Sequence, residues 1–234
     1  MVRYNTQSLQ EALDQGLPID GADLRGLDLS GVNLSLTNLS TADLSESNLT
    51  DTALRGTNLS RAKLDGAFFS NTDLSGSNLS WVTLKDADLT SSKIYVLTAL
   101  YSQFCGVRIS DQDLKGSNLS ESMLIYCTLK SIDFSHTTLK SMKFFFCFFE
   151  DCIFDQSDIT ATSFMLSRMN RCTFNQCDLS YASFVGMCGN TIEVRDSRLT
   201  GVDMTLARIQ NMDVSGSRYP GLIIEAAKIV GLKK

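Results

Sequence analysis

The sequence predicts an all-β chain wound into a square solenoid of stacked parallel coils. Three observations predict it. First, a large apolar residue recurs at every fifth position, from Leu24 through Leu29, Leu34 and Leu39 to Ile229, with no change of phase. Of the 42 positions in that series, 40 are bulky and apolar, the exceptions being Ala99 and Gly189. With 43% hydrophobic residues overall, an arbitrary phase would fill fewer than half of them. Second, the position two before each centre forms a lane of mostly small residues, as in Ala22, Val32, Thr37, Ala42 and Ser47. Third, turn formers fill the rest: Asp or Asn just before the centre (Asp23, Asp28, Asn33, Asn38), then Ser, Thr or Gly after it (Ser30-Gly31, Ser75-Gly76).

Neither standard period fits this pattern. An amphipathic helix needs apolar residues at i, i+3, i+4 and i+7, and an ordinary strand needs sustained alternation. Two inward residues in five, separated by turn formers, describe a short extended piece followed by a tight corner. Four such pieces close a coil of about 20 residues, and stacked coils pair like parallel strands roughly 4.8 Å apart. The series then predicts about 10 coils and a rod on the order of 50 Å long. Its unbroken phase predicts no inserted loop.

The elements follow in order. Residues 1–18 are expected to form a capping helix over about 8–15, with Ser8 and Glu11 as a capping box, Leu9, Ala12 and Leu13 on one face, and Gly16 and Pro18 ending it. Residues 19–219 form the solenoid. Residues 220–234 are a cap or a dimerisation segment, and 221–230 reads either as a cap helix or as further rungs. Open solenoid ends need such cover because their edges can pair with other chains.

Blocks such as Ala22-Asp23-Leu24-Arg25-Gly26 and Ala42-Asp43-Leu44-Ser45-Glu46 resemble the pentapeptide repeat family. The resemblance covers about residues 19–230. It implies a right-handed quadrilateral β-helix with the centre and small lanes inside. Because that family includes quinolone-resistance proteins that bind type II topoisomerases, it also implies an acidic rod that mimics DNA. The opening, a short helix followed by Gly16-Leu17-Pro18-Ile19-Asp20, looks like pentapeptide proteins found with bacterial secretion systems and some effectors.

Charge and chemistry narrow the function. A net charge of −5 argues against direct nucleic-acid binding, which needs clustered Lys and Arg. No apolar run approaches the roughly 20 residues of a transmembrane helix, and no signal peptide opens the chain. Seven cysteines without a Cys-x-x-Cys pair read as a reduced, cytoplasmic protein. Five of them (Cys127, Cys147, Cys152, Cys172 and Cys177) fall in the small lane, as core residues. The single histidine, His136, falls on a corner. No metal-ligand spacing, phosphate loop or catalytic constellation is present, so neither a cofactor nor an enzyme is expected.

One feature breaks the polar pattern of the outer positions. Read every 20 residues, Ile125 and Tyr126, Phe145 and Phe146, Met165 and Leu166, and Val185 stack into an apolar strip that Leu206 continues and Phe148 widens. Contiguous apolar surface of this kind marks an interface. The reading is a non-enzymatic protein-binding scaffold. Its partner is left open among a topoisomerase, a secretion component, another protein and a second copy of the chain.

Overall fold

The computed structural model describes residues 2–234. Each five-residue repeat makes one side of a coil because its backbone closes a tight turn. At most corners the N–H three residues after a centre donates to that centre's carbonyl, as from Ala42 to Leu39 and from Ser47 to Leu44, both at 3.1 Å. The residue two after the centre then carries a positive φ: 64° at Gly26, 70° at Gly31, and also 60° at Leu36, Thr41 and Glu46. The Asp or Asn before the centre braces the same corner. Asp28 Oδ1 accepts from the Ser30 N–H at 3.1 Å, and Asn33 Oδ1 from the Ser35 N–H at 3.0 Å. Most of these carboxylates therefore have the local role that an amide performs equally well.

Stacking joins each residue to the one 20 positions later. One column runs Asp23, Asp43, Lys63, Thr83, Gln103, Met123, Lys143, Ser163, Ser183, Asp203 and Ile223, every step a parallel pairing. Early coils touch only through isolated bridges. From Thr83 the pairings lengthen into two parallel sheets. One wall holds β1 (Thr83–Lys85), β2 (Gln103–Cys105), β4 (Met123–Ile125) and β6 (Lys143–Phe145). The next holds β3 (Arg108–Ser110), β5 (Thr128–Lys130), β7 (Phe148–Glu150), β8 (Arg168–Thr173), β9 (Cys188–Glu193), β10 (Arg208–Asp213) and β11 (Lys228–Lys233).

The core is the expected pair of lanes. Leucine centres from Leu24 to Leu59 are fully buried. Later the centres turn aromatic: Phe134, Phe154 and Phe174 stack at 4.8 and 4.6 Å between ring centroids. Phe144, Phe164 and Phe184 stack at 5.0 Å per step, and the two ladders meet edge to face at 5.8 Å between Phe154 and Phe164. Lane hydroxyls are paired inside. Thr57 Oγ1 donates to the Leu34 carbonyl at 2.8 Å and Ser157 Oγ to that of Phe134 at 2.6 Å. The five lane cysteines are buried, free thiols, and Cys147 and Cys152 make the same contact to Leu124 and Leu129 at 3.3 and 3.4 Å. Burial pushes the Cys177 thiol up to about 12. Gly189 leaves a centre empty because two large lane residues fill the slot: a Cβ there would lie 3.1 Å from Ile192 and 3.2 Å from Met187.

The N-terminal end corrects one expectation, and the C-terminal end decides between two. The N-terminal helix α1 spans Thr6–Asp14, not 8–15, and its capping box is Asn5 with Ser8, not Ser8 with Glu11. Asn5 Oδ1 accepts from the Ser8 N–H at 2.8 Å, while Ser8 Oγ accepts from the Asn5 N–H at 3.0 Å. Starting earlier lets Val2–Tyr4 bridge to the first coil, with the Asp23 N–H donating to the Val2 carbonyl at 2.7 Å. Leu9 and Ala12 are buried on that coil. At the other end, 221–230 is not a helix. It continues the rungs, and β11 pairs with β10 from Arg208↔Lys228 to Asp213↔Lys233. Interlayer pairing satisfies more backbone there than one helical turn could. The inward Ile224 is 55% exposed, since burial of a centre needs a coil on both sides.

Candidate interaction surface

The strip residues come together as the register requires, along the corner that follows the four-stranded wall. Those one after a centre are only partly exposed: Ile125, Phe145 and Val185 lie half-buried against their neighbours, and Met165 is exposed. Those two after a centre stand out from the rod. Tyr126 is 62% exposed, Phe146 48%, Leu166 49% and Leu206 57%. Phe148 lies half-buried across the corner, on the next wall. Neither Phe145 nor Phe146 enters the central column.

The backbone gives this ridge its significance. Tyr126, Phe146, Leu166 and Leu206 have φ of 56°, 55°, 57° and 60°. The left-handed region costs an L-residue on the order of 1–2 kcal/mol, and glycine avoids that cost. Elsewhere the same position is mostly Gly or polar, as at Gly116, Ser131, Asn71 and Asp111, with Leu36, Trp81, Val96, Tyr101 and Tyr181 as further large apolar or aromatic occupants. Four large apolar side chains therefore occupy strained, solvent-facing sites that the core does not use. Part of the strain is offset along the ridge by stacking, with the Tyr126 and Phe146 rings 5.1 Å apart. The column skips a layer at Gly186 because Leu166 leans over it; a Cβ there would sit 2.7 Å from Leu166 Cδ2.

Other outward aromatics are more ordered than their spacing suggests. Trp81 and Tyr101 stack at 4.5 Å, and the Arg61 guanidinium lies 5.5 Å from the Trp81 ring centre. His136 sits exposed on its corner. Among the described residues, no cluster of His, Cys, Asp and Glu could hold a metal ion, and no helix is long and apolar enough to cross a membrane.

Part of the charge elsewhere is neutralised between coils. Asp43 faces Lys63 at 3.5 Å, Asp88 faces Arg108 at 2.9 Å and Asp133 faces Lys115 at 2.6 Å. Glu150 meets Lys130 at 3.1 Å, and Asp213 meets Arg195 and Lys233 at 2.9 and 3.0 Å. These cations interrupt the acidic columns. Sequence reasoning missed a different grouping, Arg168, Arg208 and Lys228 on the seven-stranded wall. Stepping by 20 through the position before the centre, as was done for the ridge, would have found it.

The comparisons agree with the repeat. No curated protein matches the chain. Among solved structures, HetL, a pentapeptide repeat protein involved in heterocyst differentiation regulation in the cyanobacterium Nostoc, is 18% identical, covers 96% of this chain and 94% of its own, and has a TM-score of 0.46. A pentapeptide repeat protein of the Arabidopsis thaliana thylakoid lumen is 30% identical over 42% of this chain and 66% of its own, with a TM-score of 0.33. The plasmid-mediated fluoroquinolone resistance protein QnrB1 is 16% identical over 76% of this chain and 91% of its own, with a TM-score of 0.34. The family model for pentapeptide repeats matches eight copies, over residues 20–56, 54–90 and 102–140. The five-residue register of those copies runs on to Ile229, and the chain belongs to the pentapeptide repeat family.

Proposed function

We propose that the protein is a non-enzymatic scaffold that binds another protein through the apolar ridge of Tyr126, Phe146, Leu166 and Leu206, with Ile125, Phe145, Met165, Val185 and Phe148 as its flanks. One observation supports this reading above the others. The ridge places large apolar side chains where the backbone favours glycine and where the core gains nothing, and interface binding is the use that remains for exposed apolar surface of this extent. The titratable groups offer no rival, since most are committed to corner hydrogen bonds or interlayer ion pairs. A DNA-mimicking role is less well supported, because cations break up the acidic columns. The lane thiols suit a reducing compartment, and we assign the protein to the cytoplasm.

The test is the double variant Phe145→Ser/Phe146→Ser. It should keep the wild-type circular dichroism spectrum and lose the proteins captured by the wild-type chain, or its self-association in sedimentation. An unchanged set of captured proteins together with unchanged sedimentation would overturn the reading.

A further inference from the structure

The seven-stranded wall carries a second feature beside the ridge. In its outward column before the centre, β7 to β11 place Phe148, Arg168, Cys188, Arg208 and Lys228 in register, each paired with the next. The column on the far side of the centre holds Asn170, Asn190 and Gln210, ending at Val230. Between them lies an open groove of about 550 Å³, floored by the backbone of Met169, Gly189 and Ile209, the Met169 and Ile209 side chains being buried in the core.

The charges here are grouped in one column. Elsewhere some cations face carboxylates one coil away, while others, such as Arg61 and Lys143, stand outside any stacked cation column. Arg168, Arg208 and Lys228 form no ion pair among the described residues, and all three are exposed. The nearest acid on the wall's adjoining column, Glu150, is engaged by Lys130 and Arg171. A chain of net charge −5 thus carries a column of three cations outside any ion pair, beside the groove.

From this arrangement we propose that the groove binds an extended acidic peptide segment of a partner protein, its carboxylates meeting Arg168, Arg208 and Lys228 and its apolar side chains resting against Phe148 and Val230. Charge complementarity and dimensions support that occupant. The three cations span three layers, roughly 14 Å, which an extended segment of about four or five residues covers. Guanidinium groups suit carboxylates in forked geometry. A nucleic-acid strand fits less well, since three cations are few against the 6–10 or so phosphate contacts of a typical site, and the rest of the rod repels a polyanion. The proposal rests on the reading of the ridge as an interface. Leu166 and Arg168 flank a single corner, so one partner can lie across both.

The experiment uses the full chain and a fluorescein-labelled peptide of alternating Glu and Leu, followed by fluorescence anisotropy at low salt. The Glu–Leu peptide should bind, an alternating Lys–Leu peptide should not, and the Arg168→Glu/Arg208→Glu variant should weaken binding about tenfold or more. Absence of Glu–Leu binding, binding undiminished in that variant, or equally tight binding of a single-stranded oligodeoxynucleotide would each overturn the proposal. The Phe146→Ser variant separates the two readings. If it loses captured partners while the charge-reversed variant retains them, the groove proposal fails and the ridge reading stands. If both variants keep every partner, both fail.

Discussion

The first coils and the later ones use one backbone for different ends. From Leu24 to Leu64 the centres are leucine and the corner tips are mostly Gly, Thr, Glu or Asp, with Leu36 the one large apolar exception. Consecutive layers there touch through single bridges. From Phe134 to Phe184 the centres are largely aromatic, strands lengthen to six residues at β8, and the tips hold Phe146, Leu166 and Tyr181. Both regions keep the same register and the same two inner lanes. The inner lattice therefore leaves the outer positions free, and the later coils fill them with side chains that the turn itself disfavours. Stability and recognition are written on different residues of the same five-residue unit.

The largest expected effect tests the inner half of that contrast. Phe154→Ala removes a ring stacked on Phe134 and Phe174 and should cost about 3–5 kcal/mol in urea unfolding. Leu49→Ala in the early region should cost about 2–5 kcal/mol. Equal losses at the two sites would mean that the aromatic ladders add nothing beyond aliphatic packing.

The next effect concerns the tips. Phe146→Gly and Tyr126→Gly should leave stability unchanged or raise it by up to about 1 kcal/mol, because glycine relieves the positive φ, while partner capture is lost. The reverse change, Gly116→Ala at φ 70°, should cost about 1 kcal/mol. Destabilisation by Phe146→Gly of more than that would place the ring in the fold rather than at an interface.

Thiol reactivity separates inside from outside in both regions. In the native protein Cys188, which is exposed, should react fully with a thiol reagent at pH 8 and Cys105 more slowly. The five lane cysteines should react only on unfolding, because they are buried in the folded rod. Rapid labelling of all seven would break the lane assignment.

The smallest effect is on acid stability. Hydrogen bonds from Ser30 hold the Asp28 carboxyl below its ordinary value, and those from Thr90 do the same for Asp88. A depressed folded pKa gives stability that is fully present above the unfolded value near 4 and is lost as pH falls through the folded value. Tm should therefore drop below about pH 4 in the wild type. Asp28→Asn/Asp88→Asn should reduce that drop slightly, since Asn33 and Asn38 already make the same corner bond. An unchanged acid limb would show that these carboxylates titrate alike folded and unfolded.

The sequence by itself determined the lattice. A bulky residue every fifth position, a small lane and turn formers leave one economical solution, and a 20-residue step then assigns every residue to a wall. The exposure of Tyr126, Phe146 and Leu166 was legible from that phase alone. So was the burial of the five lane cysteines. Tertiary structure decided what depends on neighbours across layers. It moved the capping box to Asn5 and Ser8, because Val2–Tyr4 bridges to the first coil. It extended the rungs through Lys233, because pairing with β10 outweighs a short helix. It set the positive φ at nearly every corner tip, Ser91 excepted, which turns an exposed aromatic into a strained one. It also left Arg168, Arg208 and Lys228 without acids, because an ion pair depends on where side chains 20 residues apart come to rest, and a local reading of charge does not contain that information.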